Sequence, residues 1–114
     1  MKNIYQEPWP CGVTEISKNE FERNKNRLGE IKEVRVEGAT GKSDTIVKVI
    51  GTKAVLWLDG FAVGYMGEGP HGLIWLLEQV GVVFTEDQVF NKPTIDILTF
   101  FKIQNILEPH NIKL

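Results

Sequence analysis

Apolar and polar residues alternate through the first half of the chain in short runs that turn residues separate. In Glu30–Glu37, Val34 and Val36 stand between charged residues, which predicts a strand with one apolar and one polar face. The runs Thr45–Ile50 and Lys53–Leu58 follow, with only a glycine and a threonine between them. The pattern predicts neighbouring antiparallel strands joined by tight turns.

The last of these runs is apolar at nearly every position. Ala54–Leu58 has no polar residue on either face, which is typical of a central strand that is covered on both sides. Asp59 and Gly60 then form the strongest hairpin signal in the chain, so we expect Phe61–Met66 to return beside Ala54–Leu58. The prediction is an antiparallel sheet of about four strands.

Three segments have the pattern of helices. Ser17 and Glu20 have the spacing of a capping box, which predicts an N-terminal surface helix from Lys18 to Leu28. Leu73–Val80 is apolar at nearly every position and predicts a helix buried against the sheet. Thr85 and Gln88 can cap one further helical turn, after a short strand near residues 82–84.

The segment Thr94–Leu107 has two readings. Its isoleucine, leucine and phenylalanine residues form a broad apolar face on a helix, and the length of the segment favours a second hydrophobic helix. A strand pair is the competing interpretation, because the same residues favour strands. A broad apolar face would also permit self-association, so a homo-oligomer stays open.

The N-terminal residues predict an extended arm over 1–16. Pro8 and Pro10 favour extended or turn conformations, and Tyr5 and Trp9 supply apolar side chains that can hold the arm against the body. Together the elements predict one α+β domain over residues 1–114. It would contain an antiparallel sheet packed by two hydrophobic helices.

Composition narrows the classes of partner. The 13 basic and 15 acidic residues are mixed along the chain and form no basic stripe, so we expect no nucleic-acid partner and no binding to anionic lipid. No apolar run approaches the ~20 residues that a membrane helix needs. The N-terminus lacks the apolar segment of a secretory signal, and Cys11 is the only cysteine, so we expect a cytoplasmic protein.

One glycine-rich segment has a spacing associated with nucleotides. Gly67, Gly69 and Gly72 reproduce the glycine spacing of a dinucleotide-binding fingerprint between an apolar run and a helix. Three features oppose that reading: the predicted hairpin before the segment, the short remaining chain, and Pro70, which has no amide proton. A complete nucleotide-binding sheet is therefore not expected.

The same segment still offers a smaller candidate site. Backbone amides at the start of a helix attract anions, and a histidine side chain can add a hydrogen-bond donor. The candidate ligand-binding residues are Gly67, Glu68, Gly69, His71 and Gly72. The alternative interpretation is a purely structural turn between sheet and helix.

Catalytic chemistry has little support in the sequence. Glu68, His71 and Asp59 could supply acid and base groups, but no serine or cysteine stands in a recognisable nucleophile setting. Two histidines and one cysteine have no metal-ligand spacing, so we expect no metal and no cofactor.

The preferred hypothesis is therefore a small noncatalytic interaction protein. It would bind a macromolecular partner, most simply another protein, and neutralise or protect it, as a toxin-neutralising immunity protein does. The alternative hypothesis is a protein that binds a small ligand, either an anion or a nucleotide, or a minor enzyme, using the segment from Gly67 to Gly72.

Overall fold

The computed structural model describes residues 1–42 and 44–102. The helices are α1 (Thr14–Asn24), α2 (Glu68–Val80) and α3 (Glu86–Phe90), and a single 3₁₀ turn, Lys25–Arg27, extends α1. The strands are β1 (Lys2–Tyr5), β2 (Ile31–Glu37), β3 (Ile46–Gly51), β4 (Ala54–Leu58) and β5 (Ile97–Phe101). The predicted α+β class is confirmed, with five described strands where about four were expected.

The five strands form one sheet in the order β1-β4-β3-β2-β5. Three pairings are antiparallel, as the alternating runs predict, and β2 to β4 form a meander. The N-terminal strand β1 is the exception, because it lies parallel to β4 and places Lys2 opposite Ala54. The first and fourth strands of the chain are therefore neighbours at one side of the sheet.

The hydrophobic core lies between one face of the sheet and the helices α1 and α2. Alternate residues of the three central strands point into it and are fully buried, as are three leucines of α2. These residues are Val34, Val36, Val47, Val49, Leu56, Leu58, Leu73, Leu76 and Leu77. The predicted buried helix is confirmed, and it begins five residues earlier than Leu73, at Glu68. No helix in the described part of the chain is long and apolar enough to cross a membrane.

The opposite side of the sheet, which we term the open face, is not covered by the described helices. It carries Tyr5, Glu33, Arg35, Glu37, Ile46, Lys48, Ile50, Val55, Trp57, Ile97, Thr99 and Phe101. The expectation that Ala54–Leu58 is covered on both sides is wrong, since Val55 and Trp57 are only half-buried. A pattern without polar residues therefore does not require a second helical layer.

The predicted hairpin at Asp59 and Gly60 is also wrong. Phe61–Met66 is a loop, and the strands that pair with β4 are β3 and β1. The backbone amide of Asp59 donates to Gln6 Oε1, and that of Gly60 donates to Ser17 Oγ. These tertiary hydrogen bonds replace those of a local turn.

Helix α1 begins at Thr14 and not at Lys18, so the N-terminal arm comprises residues 1–13. Ser17 and Glu20 do not form the predicted capping box, because both are buried within the helix. Ser17 bonds to Gln6, and Glu20 accepts a hydrogen bond from Asn24. The second predicted cap is confirmed.

That second cap begins the short helix α3. Thr85 Oγ1 accepts from the amide of Gln88 at 3.2 Å, and the Gln88 side chain accepts from the amide of Thr85 at 2.8 Å. The short strand predicted at residues 82–84 is reduced to an isolated bridge between Val82 and Lys102. Among the described residues, the backbone pairing of 82–84 with the sheet is limited to this bridge.

The preferred helix over Thr94–Leu107 is wrong over 97–101, where the competing strand interpretation holds. Strand β5 pairs antiparallel with β2, and this pairing buries Phe100 in the core. Hydrogen bonds with β2 satisfy the backbone groups of this segment, as internal hydrogen bonds would in a helix. The period and length of the apolar pattern alone therefore did not distinguish a strand from a helix. The part of the prediction over 103–107 lies outside the described residues.

The carboxylate of Asp96 joins the start of β5 to the loop after β2 through hydrogen bonds. Its titration gives a testable prediction. Asp96 accepts from the hydroxyl and the amide of Thr40, and these bonds lower the pKa of Asp96 from its ordinary 3.8. The stabilisation is present above 3.8 and is lost as the pH falls through the lowered pKa. We expect the Thr40 amide resonance to titrate with a midpoint below 3.8.

The Thr40→Val variant tests the cause of that shift. Removing the hydroxyl should move the midpoint towards 3.8, because its hydrogen bond makes the largest contribution. Thr94→Val, nearby in sequence, should leave the midpoint unchanged. A midpoint at 3.8 or above in the unmodified protein would contradict the prediction.

Candidate functional site

The described surface contains a cleft of about 770 Å³, which we term the arm cleft. It lies where the N-terminal arm, the start of β3, the end of β4 and the start of α2 meet. Its walls include Trp9, Cys11, Asp44, Asp59, Tyr65 and Glu68. The volume is in the range that binds small molecules or side chains of a partner, ~300–1,000 Å³.

A buried glutamine fixes the arm beside this cleft. Gln6 is 0% exposed, and its backbone amide donates to Trp57 O at 3.0 Å, which extends the pairing of β1 with β4. Its Oε1 accepts from the amide of Asp59 at 3.0 Å and from Ser17 Oγ at 2.6 Å. One side chain thus joins the arm, helix α1 and the end of β4.

The Asp59 carboxylate is held at the base of the arm by hydrogen-bond donors. It accepts from the amides of Cys11 at 2.8 Å and Gly12 at 3.1 Å, and also from Gln6 Nε2. Next to it, Thr14 Oγ1 donates to the Gly60 carbonyl at 2.7 Å. These bonds fix the orientation of the carboxylate and leave its negative charge without an ion-pair partner among the described residues.

The glycine segment proves to be the first turn of α2. Because the helix begins at Glu68, the amide of His71 donates to the Gly67 carbonyl at 3.0 Å and is not free for an anion. His71 Nδ1 lies 2.8 Å from the same oxygen, and its ring packs on Phe90 at 5.0 Å. Of the first-turn groups, Pro70 has no amide proton. The His71 amide is therefore engaged within the helix.

Close packing accounts for the glycine spacing. A Cβ on Gly72 would lie 2.4 Å from Thr14 Cγ2, where α2 crosses the start of α1. A Cβ on Gly69 would lie 2.9 Å from Ala62, and one on Gly67 would lie 2.5 Å from the Tyr65 ring. The sequence signal thus reports the approach of neighbouring groups to the helix.

The structure separates the candidate ligand residues. Glu68 and Gly69 line the arm cleft, Gly72 is buried, and His71 is exposed against Phe90. Ligand binding by Gly67, Glu68, Gly69, His71 and Gly72 stays a prediction. The candidate acid and base groups His71 and Asp59 are not hydrogen-bonded to one another. His71 Nδ1 lies near the Gly67 carbonyl, and Asp59 accepts from residues of the arm.

The arm cleft is negatively charged. Asp44, Asp59 and Glu68 line it, and none of its described lining residues is basic. Asp44 and Glu68 make no hydrogen bond or ion pair with the described residues. In the part of the chain that the structure describes, no three His, Cys, Asp or Glu side chains are grouped as metal ligands. Coulomb attraction at the cleft therefore favours cations over anions.

An aromatic cluster joins the cleft to the open face. The Trp57 ring centroid lies 5.0 Å from that of Tyr5 and 6.4 Å from that of Trp9, and Lys48 Nζ lies 4.0 Å from the Trp57 ring centroid. Trp57 Nε1 also donates to Asn3 Oδ1 at 3.1 Å. Trp9 belongs to the cluster and also lines the cleft, as Ile46 lines the cleft from β3. The two surfaces are therefore continuous.

Sequence reasoning missed Gln6 and the role of Asp59. The two residues lie in distant parts of the chain, and only the parallel pairing of β1 with β4 brings them together. The arm contact predicted for Tyr5 and Trp9 is observed, and it is made with Trp57.

Comparisons with protein-family models, with curated proteins and with solved structures find no match to this chain. The function must therefore be argued from the chain's own geometry.

Proposed function

We propose that the protein is a noncatalytic interaction protein that binds a protein partner and neutralises or protects it, as a toxin-neutralising immunity protein does. The observation that carries the proposal is the open face, a five-stranded surface with aromatic residues and no described helix on it. The proposal places the protein in the cytoplasm, where a free thiol such as Cys11 stays reduced.

The composition of the open face suits a protein interface. Tyr5 and Trp57 on this face, with Trp9 packed beside them, supply large contact area, and tyrosine and tryptophan are enriched among the residues that dominate binding energy. Tyr5 remains 45% exposed within the cluster. A partner that covers this ring would remove apolar surface from water, which contributes ~25 cal/mol per Å² before the costs of association.

The charges of the open face are already paired with one another. Lys48 Nζ lies 2.8 Å from Glu37, and Arg35 lies 3.4 Å from Glu33. Covering the centre of the face would therefore not leave an unpaired charge buried, which is the main penalty at a polar interface. The strands that carry the face are also held by the core behind them, so little ordering is needed on binding.

The proposal is tested by affinity capture from the native cells with a matched pair of variants. Unmodified protein should recover one stoichiometric partner. Tyr5→Glu should reduce that recovery at least about tenfold, because a buried unpaired carboxylate opposes docking. Circular dichroism and thermal melting would show that both variants are folded.

Met66→Glu is the control, since Met66 is 74% exposed and lies in the loop between β4 and α2, outside the sheet. It should recover the partner as well as the unmodified protein does. Recovery of nothing above background, or equal loss in both variants, would overturn the proposal.

A further inference from the structure

We propose that the arm cleft receives an arginine side chain of the protein partner. The inference deepens the proposed function, on which it rests, by naming the group that the cleft selects. It begins from the shape of the surface. The cleft opens beside the aromatic cluster, and Trp9 belongs to both, so a partner on the open face lies within reach of the cleft.

Charge complementarity decides the sign of the group. Glu68 and Asp44 come from different elements, and neither has a partner among the described residues. Asp59 adds a third negative charge whose oxygens are fixed by the arm amides. With no basic residue in the described lining, an entering anion meets only repulsion, whereas an entering cation is attracted from several sides.

The apolar walls decide the type of cation. Trp9 and Tyr65 line the same cleft as the carboxylates, and Tyr65 is exposed there. A guanidinium group is planar, stacks on aromatic rings and donates two parallel hydrogen bonds to one carboxylate. An ammonium group is a compact, strongly hydrated charge that loses more on entering an apolar site. The combination of rings and carboxylates therefore fits arginine better than lysine.

The packing of the cleft indicates that the site is formed before binding. Gly60 and Gly69, which line it, approach neighbouring groups so closely that a Cβ would clash with Val13 O or Ala62 Cβ. The arm is fixed from the other side by Gln6. A preformed site avoids the cost of ordering its own side chains, which strengthens binding of a given group.

The test uses an acetylated, amidated pentapeptide, Gly-Leu-Arg-Leu-Gly, and its citrulline and lysine counterparts. Titration is followed by NMR through the indole N–H of Trp9 and the amides of Glu68 and Gly69. We expect the arginine peptide to bind about tenfold or more tightly than the citrulline peptide, which keeps the shape but has no charge. Binding should weaken as salt is raised.

Glu68→Gln should weaken the arginine peptide by about tenfold while leaving the citrulline peptide unchanged. Glu78→Gln is the matched control, because it removes the same charge from an exposed position on the same helix outside the cleft. Equal binding of the arginine and citrulline peptides, no binding of either, or lysine binding as tight as arginine would each overturn the inference.

Failure of the inference differs from failure of the proposed function. If the captured partner is lost with Tyr5→Glu but retained with Glu68→Gln, the open face binds the partner and the cleft does not hold its arginine. If no partner is captured, the proposed function fails. The peptide titration still measures the cleft in that case.

Discussion

Replacing Phe61 with alanine is expected to lower the free energy of unfolding by about 3–5 kcal/mol. Phe61 is 2% exposed although it lies in a loop, and it belongs to the same core cluster as the leucines of α2. Its ring also lies where α2 passes closest, since a Cβ on Gly72 would approach it to 2.9 Å. Truncation would remove core contacts and leave a cavity under the helix. Urea unfolding followed by circular dichroism measures the change.

Met66→Ala is the matched truncation in the same loop. Met66 is 74% exposed, so its loss should change stability by less than about 0.5 kcal/mol. Similar costs at the two positions would contradict the packing of the loop described above. The comparison also separates this loop from the predicted strand, in which both residues would pair with β4.

Replacing Gln6 with leucine is expected to lower the free energy of unfolding by about 2–4 kcal/mol, because leucine fills much of the volume but makes no hydrogen bonds. The amide of Asp59 loses its acceptor, and the Asp59 carboxylate loses one donor. Each buried polar group left without a partner costs ~1–3 kcal/mol. The arm should also detach more often. Cys11, now half-buried, would then react faster with a thiol reagent.

The neighbouring Glu7→Leu provides the control for the arm. Glu7 is exposed, so the same new side chain there should change stability by less than about 0.5 kcal/mol and leave the reactivity of Cys11 unchanged. If Gln6→Leu left both stability and Cys11 reactivity unchanged, the hydrogen bonds of Gln6 would neither stabilise the fold nor hold the arm in place. The two readouts also distinguish loss of the arm from global unfolding.

The local pattern predicted the centre of the fold well. Strands β2, β3 and β4 and the buried helix α2 were visible because each repeats its apolar residues with the period of its own structure. The cap of α3 was visible because both of its hydrogen bonds are local. The residues that specify each of these elements lie within the element or directly beside it in the sequence.

The prediction failed where residues use distant partners. Ser17 has the local spacing of a cap, but its hydroxyl bonds to Gln6 and accepts from Gly60. Asp59 has the local character of a turn, but the arm engages both its amide and its carboxylate. In both cases hydrogen bonds to a distant part of the chain take the place of the predicted local helix cap or hairpin turn.

The candidate site followed the same rule. Glycine spacing indicated a junction before a helix, but it did not show which groups pack against those glycines. The arm cleft depends on the parallel pairing of β1 with β4, for which the short run at the N-terminus gives no period to read. Its negative charge is likewise collected from separate elements, so no segment of the sequence displays it.

The parallel pairing of β1 with β4 also predicts an order of folding. During synthesis the first residues of the chain emerge long before Ala54–Leu58, so β1 has no partner strand until most of the sheet has been made. Strands β2 to β4 pair locally and can form without it. We therefore expect docking of the arm, and with it the completion of the cleft, to follow the pairing of β2 to β4.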